Sequence, residues 1–390
     1  MRSRCGSEAK GDCLVVAESE RGPAIEITTK SERLLGPGLR SVVEGTLSEL
    51  LIEDVALEVA DFGALDYVVA ARIETAVRAL RPGDSRTFTP GVDRSPAERD
   101  RPRRSRLYAP GNSPRLLVGI DVHGADCVLL DLEDSVPPTE KTAARVLVKR
   151  LLACVPFPEE VWVRINPLAL GGREDLVDVL RGRPHGVCLP KAESADDVHR
   201  LDEELGRLEG ELGLPDRTTW IMPIVETARG VLHCEQIASA NDRIAMVAFG
   251  AEDFTRDIGA RRTREALLFA RARIVAGAKA AGIQASDTVY ADLSDEAGLF
   301  EEAVHARDLG FDGKGAINPR QIEPIHRAFS PTVEELERAE AIVAAAREAE
   351  ARGLGAVALD GKMIDRPVLE RAERLMKVAG RLARGGDCGA

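Results

Sequence analysis

The 390-residue sequence is short of aromatic residues, of paired cysteines, of long apolar runs and of positive charge, and each shortage excludes a class of protein. Aromatics make up only 4% of it, yet hydrophobic residues reach 44% and charged residues 30%, proportions of a chain that folds rather than of a disordered one. The seven cysteines (Cys5, Cys13, Cys127, Cys154, Cys188, Cys234 and Cys388) are odd in number and scattered, and none forms a CxxC pair that would signal a zinc site or a dithiol redox motif. That usage fits a reducing cytoplasm. No window approaches the ~20 apolar residues of a membrane span. The charged start MRSRCGSEAKGDCLVV has no apolar core of a signal peptide. A soluble, cytoplasmic protein is expected. With 65 acidic residues against 53 basic ones, a nonspecific grip on nucleic acid or anionic lipid is disfavoured, and small molecules or another protein are the expected partners.

Two patterns divide the chain. Residues 81–104, RPGDSRTFTPGVDRSPAERDRPRR, crowd proline, glycine, serine and charge without periodicity and read as a linker. Before it, residues 1–80 alternate strand-like CLVVAE, AIEITT and VALEVAD with helix-like SVVEGTLSELL and LDYVVAARIETAVRAL, which makes a small α+β unit. After it, short apolar strands alternate with helix-length segments: Arg106–Ala109, Cys127–Asp131, Val161–Ile165, Gly186–Pro190, Trp220–Val225, Ile244–Phe249, Asp287–Tyr290 and Gly315–Ile317. Eight strands joined by helical crossovers over residues 105–335 predict an α/β fold of the (β/α)8 TIM-barrel type. A doubly wound sheet loses its specific support because no GxGxxG or GxxxxGK[ST] follows a strand. Thr332, with Glu335 three residues on, has capping-box spacing before a long helix, so a C-terminal helical extension over residues 336–390 follows the barrel.

In such a barrel the chemistry gathers where the strands end. Those ends are polar here: Asp131, Glu133 and Asp134 after the second strand, Arg164 and Asn166 after the third, Lys191 and Glu193 after the fourth, Glu226 after the fifth, Glu252 and Asp253 after the sixth, and Asn318 after the eighth. Glu226 and Asp253 come from adjacent strands and would repel each other without a cation between them. Magnesium suits that demand, because it takes one or two carboxylates and keeps other positions for water and substrate oxygens. Arg164 has the planar fork for a substrate carboxylate; on its charge alone a structural salt bridge is the equal alternative, and the metal pair at the same mouth favours the substrate. Single acidic residues at strand ends are more often helix caps or solvated side chains, and that reading is kept for Asp131, Glu133, Asp134 and Glu252. The six histidines are read as helix or loop residues, and Cys127 and Cys188 as core.

At these residues a family resemblance enters. RRSRLYAPGN, LLDLEDSVPPTEKTAAR, VWVRINPL, LPKAES, IVETARGV, AFGAEDFTRDIG, GIQASDTVYADLSDEAG, GFDGKGAINPRQI and LDGKMIDRPVLERA, in that order from about Arg103 to Arg381, resemble the citrate lyase β subunit family. INPRQI is nearer to it than to malyl-CoA lyases, which usually carry histidine where Asn318 stands. The resemblance implies a magnesium-dependent carbon–carbon lyase that splits a citryl thioester into oxaloacetate and an acetyl thioester. Arg164 would bind substrate, Glu226 metal and substrate, and Asp253 metal. Asp365, in the DGKMID block, would reach a neighbouring subunit's site as general acid/base, which implies a homo-oligomer; its plainer reading is a helix cap.

The stretch Gly6 to Leu80 resembles the citrate lyase acyl carrier, or γ, family, so the chain reads as a γ–β fusion. That carrier bears a phosphoribosyl-dephospho-CoA arm on a serine directly before Gly-Asp, whereas here Lys10 precedes Gly11 and Asp12 and the nearest serine is Ser7. Either Ser7 takes the arm, or the unit is unmodified and the barrel uses a CoA thioester or a separate carrier. Nothing here resembles an acyl-transferase, so a separate α-type subunit is implied. The alternative is a malyl-CoA or methylmalyl-CoA lyase or thioesterase whose N-terminal unit is a docking scaffold.

Overall fold

A computed structural model describes residues 1–19, 22–30, 32–82, 94, 96–353 and 357–386. Cys388 and half of the expected linker, residues 83–93 and 95, lie outside the described residues. The chain opens with β1 (Arg2–Gly6), β2 (Cys13–Glu18), β3 (Ala24–Thr29), α1 (Glu32–Glu49), β4 (Ala56–Asp61) and α2 (Asp66–Leu80). The four strands lie in the order β1-β2-β4-β3, with β3 parallel to β4 and the other pairs antiparallel. β1 is not foreseen from the sequence: RSRCG is charged, and only an edge strand, paired on one side, tolerates such a composition. α1 begins well before the expected start of SVVEGTLSELL.

Eight parallel strands then close a barrel: β5 (Ser105–Pro110), β6 (Cys127–Asp131), β7 (Glu160–Arg164), β8 (Gly186–Leu189), β9 (Trp220–Val225), β10 (Met246–Phe249), β11 (Gln284–Asp287) and β12 (Gly313–Ala316). β12 returns to β5 through Lys314 opposite Ser105, which closes the ring. β11 ends at Asp287, where the expected strand begins. QASD does not read as a core strand, but Asp287 is fully buried and accepts hydrogen bonds from Arg271 and Lys314, and that pairing lets a polar segment occupy the barrel wall. Thr288 and Val289 are thereby released to the mouth.

The barrel interior holds Cys127, Leu129, Trp162, Cys188, Met222, Ile224, Met246 and Ala248. Its lower end is sealed by Glu160, which accepts from both Arg103 and the Trp162 indole. Beyond the barrel run the helix Val333–Ala351, a hairpin of β13 (Val357–Leu359) and β14 (Lys362–Ile364), and the helix Arg366–Gly386. Thr332 and Glu335 form the expected capping box, with Glu335 N–H donating to Thr332 and Thr332 N–H to the Glu335 carboxylate.

α2 is buried along most of its length because it packs on both sides. Val69, Ile73 and Val77 join the core of the small sheet, while Tyr67, Val68 and Ala71 join that of the barrel, against the helix Lys141–Cys154. Between these layers Glu74, with no exposure, accepts from Lys149, Arg150 and Arg78, and Arg78 also grips Asp178 through two bonds of 2.9 Å. Burial alone would raise the Glu74 pKa, but the three cations hold it below its ordinary value.

Candidate active site

The C-terminal ends of the barrel strands enclose a cavity of about 390 Å³ whose lining includes Arg106, Tyr108, Asp131, Arg164, Glu226, Asp253 and Thr288. Glu226 follows β9 directly and is 3% exposed. One of its oxygens accepts the backbone N–H of Lys191 at 2.8 Å. Lys191 is held at φ +52, a left-handed conformation uncommon for a residue with a side chain, and from there its ammonium also pairs with Glu133. The other oxygen of Glu226 turns toward Gly250, where an added Cβ would stand 2.3 Å from it. A glycine is therefore required for the carboxylate to take this place. Asp253 lies in the first turn of the helix Ala251–Asp257 that follows β10, and pairs with Arg256.

Burial, reinforced by the negative charge of Asp253, pushes Glu226 up to about 8, against the pull of the Lys191 N–H and Arg164. A carboxyl so placed becomes an anion readily only when a cation arrives. No group of three or more histidine, cysteine, aspartate or glutamate side chains among the described residues makes a complete metal cage. Two carboxylates with open room beside them are what a hard cation that retains water accepts, so the donors present fit magnesium.

Arg164 ends β7 and stands over the Tyr108 ring at 5.7 Å. Its Nε and Nη2 both donate to Asp131, at 2.6 and 2.7 Å, and Nη1 lies 3.0 Å from Glu133. The fork expected for substrate is thus already filled on one edge. Asp131 and Glu133, read from sequence as caps or solvated groups, are instead buried and hold this guanidinium in place. Asp134 and Glu252 keep exposed side chains, as expected. Asn318 caps the turn after β12. Asp365 caps the helix Arg366–Gly386 through the Val368 N–H and does not line this cavity of its own chain. In the N-terminal unit, the exposed Ser7 donates to Asp12 at 2.8 Å, and Arg72 holds Asp12 from the other side.

Sequence reasoning passed over Arg106, Lys191 as a support of Glu226, and Gly250. Only Gly250 carries a signal, a glycine between an apolar strand and an acidic pair; the others are defined by what they touch.

Comparison with known proteins places this geometry. Residues 104–319 match the family model HpcH/HpaI aldolase/citrate lyase, and residues 2–80 match an acyl-carrier model described as malonate decarboxylase delta subunit (MdcD). The citrate lyase subunit beta of Haemophilus influenzae is 42% identical over 281 residues, 71% of this chain and 97% of that protein. Human mitochondrial citramalyl-CoA lyase is 37% identical over 294 residues, 71% of this chain and 86% of its own length. Among solved structures, CitE from Mycobacterium tuberculosis in complex with magnesium, acetoacetate and coenzyme A is 34% identical with a TM-score of 0.61, over 73% of this chain and all of that one. RipC from Yersinia pestis is 36% identical with a TM-score of 0.51, over 60% of this chain and 97% of its own. The closed barrel, the carboxylates at its mouth and these likenesses agree that the chain belongs to the HpcH/HpaI aldolase/citrate lyase family.

Proposed function

We propose that the protein is a magnesium-dependent carbon–carbon lyase that cleaves a citryl thioester into oxaloacetate and an acetyl thioester. The observation that carries this reading is Glu226, 3% exposed in the same cavity as Asp253 and without a cationic side chain at ion-pair distance among the described residues, where burial and the Asp253 charge raise its pKa. Glu226 and Asp253 would hold the magnesium, which when bound supplies Lewis-acid polarisation of the substrate's hydroxyl and carboxylate oxygens. Gly250 and the Lys191 N–H fix the Glu226 carboxylate, so little reorganisation is needed at the moment of reaction. Arg164, its inner edge locked by Asp131 and Glu133, turns its remaining N–H groups to a substrate carboxylate.

Cleavage removes a proton from the hydroxyl oxygen and returns one to the methylene carbon of the departing acetyl thioester, so one acid/base group serves both transfers. Asp365 takes that role from a neighbouring copy, since it does not line the cavity of its own chain. Mixing inactive Asp365→Asn with inactive Glu226→Gln tests the sharing. Hybrid oligomers regain activity if it holds, and no recovery despite subunit exchange refutes it.

The N-terminal unit serves as a fixed wall rather than a swinging carrier. Lys10 stands where the arm-bearing serine belongs, and α2 is tied to the barrel through Glu74. The thioester is then a soluble CoA ester or one carried by another protein, and in a citrate lyase assembly a separate α-type acyl-transferase subunit loads it. Lys10 also favours a second reading, cleavage of malyl-CoA or a methylated analogue with the N-terminal unit as scaffold. Oxaloacetate formation from citryl-CoA with magnesium, and its loss with chelator, tests the first reading. Turnover of malyl-CoA or methylmalyl-CoA alone would establish the second. The intact mass of native-host protein decides whether Ser7 bears an arm.

A further inference from the structure

Six arginines among the described residues are buried: Arg72, Arg103, Arg106, Arg150, Arg243 and Arg271. Five of them meet a carboxylate at hydrogen-bond distance, Arg72 on Asp12, Arg103 on Glu160, Arg150 on Glu74, Arg243 on Glu209 and Arg271 on Asp287. Arg106 meets none. It is 2% exposed, and its Nε has no hydrogen-bond partner. Nη1 reaches only the Met246 sulfur at 4.0 Å and Nη2 the Tyr108 hydroxyl at a long 3.5 Å, with the Tyr108 ring 5.6 Å away.

A guanidinium cannot shed its proton to escape this situation, and an unpaired charge in the interior is costly. Such a cost persists where a ligand repays it. The position supports this, because Arg106 lines the same cavity as Glu226 and Asp253. It is the second residue of β5, opposite Cys127 at the start of β6, and so approaches that cavity from the barrel floor. The carboxylates around it are already engaged: Asp131 by Arg164, Glu226 by the Lys191 N–H and Asp253 by Arg256. Among the described residues, no carboxylate pairs with this cation at the floor.

We propose that Arg106 binds the second carboxylate of the oxo-acid half of the substrate and thereby selects thioesters that yield a dicarboxylate 2-oxo acid over those that yield a monocarboxylate one. The inference rests on the lyase reading. A citryl thioester carries a CH2–COO⁻ group on the carbinol carbon where a citramalyl thioester carries only a methyl. With the hydroxyl and its adjacent carboxylate on the magnesium that Glu226 and Asp253 would hold, that third substituent is left to face the floor. A carboxylate there pairs with Arg106, whereas a methyl leaves the guanidinium buried and unmatched, and sites built around a buried polar group reject ligands that cannot satisfy it.

Purified wild-type protein and Arg106→Met, in which an apolar side chain of similar reach fills the space, are compared on citryl-CoA and citramalyl-CoA with magnesium. The citryl-to-citramalyl ratio of kcat/KM is expected to fall about 100-fold in Arg106→Met, and an unchanged ratio overturns the proposal. Calorimetry on the wild type alone covers the case in which the variant does not fold. Oxaloacetate in the presence of magnesium should bind at least about tenfold more tightly than pyruvate, and equal affinities overturn the proposal. If the wild type cleaves citryl-CoA while the ratio stays fixed, only the role of Arg106 fails. If the wild type cleaves neither thioester, the lyase reading fails with it.

Discussion

At the contact between α2 and the helix Lys141–Cys154, Glu74 is shut off from solvent and met by Lys149, Arg150 and Arg78; at the barrel mouth Glu226, 3% exposed, has no cationic side chain at ion-pair distance among the described residues. The same residue type at the same depth is thus held below its ordinary pKa in one place and raised to about 8 in the other. Arginines repeat the contrast, with Arg150 paired to a carboxylate at the contact and Arg106, at the floor of the mouth cavity, paired to none among the described residues. Charge neutralised from within the chain serves architecture. Charge left unbalanced in a cavity is a binding site awaiting its counterpart.

The comparison breaks if the two carboxylates respond alike to neutralisation. Glu226→Gln and Asp253→Asn are each expected to lower magnesium-dependent oxaloacetate formation by at least about 10³-fold while the protein stays folded, because each removes one metal charge. Turnover at the wild-type rate would sink the metal assignment. Glu74→Ala should do the reverse. It strands buried cations and costs about 3–5 kcal/mol in denaturant unfolding, while the folded fraction still cleaves substrate. Because the cations hold the Glu74 pKa below its unfolded value, its contribution is present above the ordinary glutamate range and is lost as pH falls through the folded pKa. An unchanged unfolding midpoint would show that the contact does not fasten the N-terminal unit.

Gly250→Ala sharpens the contrast without touching a charge. A methyl 2.3 Å from the Glu226 oxygen must displace the carboxylate, and magnesium affinity is expected to fall about 10- to 100-fold. Wild-type affinity would mean that the carboxylate has room to move. Arg164→Lys gives the smallest effect, about a tenfold rise in KM, since an ammonium cannot hold Asp131 and substrate in one plane. An unaltered KM would remove Arg164 from substrate binding.

Much of the frame was legible in the sequence. Cys127–Asp131 and Trp220–Val225 are the strands expected, and the Thr332 capping box forms as its spacing predicts. Arg164, Glu226 and Asp253 all line one cavity because strand ends in a closed barrel must converge. What escaped are features fixed by partners distant in the chain. QASD is a strand only because Arg271 and Lys314 neutralise Asp287. Asp131 and Glu133 look like caps until Arg164 is placed against them. Arg106, the single charged residue of the strand SRLYAP, gives no sign that its side chain points inward rather than to solvent.

The central claim is that the mouth holds a carboxyl that ionises to receive a divalent cation. Magnesium titrated into metal-free protein at pH 7, by calorimetry in buffers of different ionisation enthalpy, tests it most directly. With the Glu226 pKa raised to about 8 before the metal arrives, magnesium displaces its proton, so a substantial fraction of a proton is released per ion bound. Affinity should weaken as pH falls below 8, and Glu226→Gln should abolish the release. Magnesium binding with no proton release, or no binding at any pH up to 9, would contradict the account.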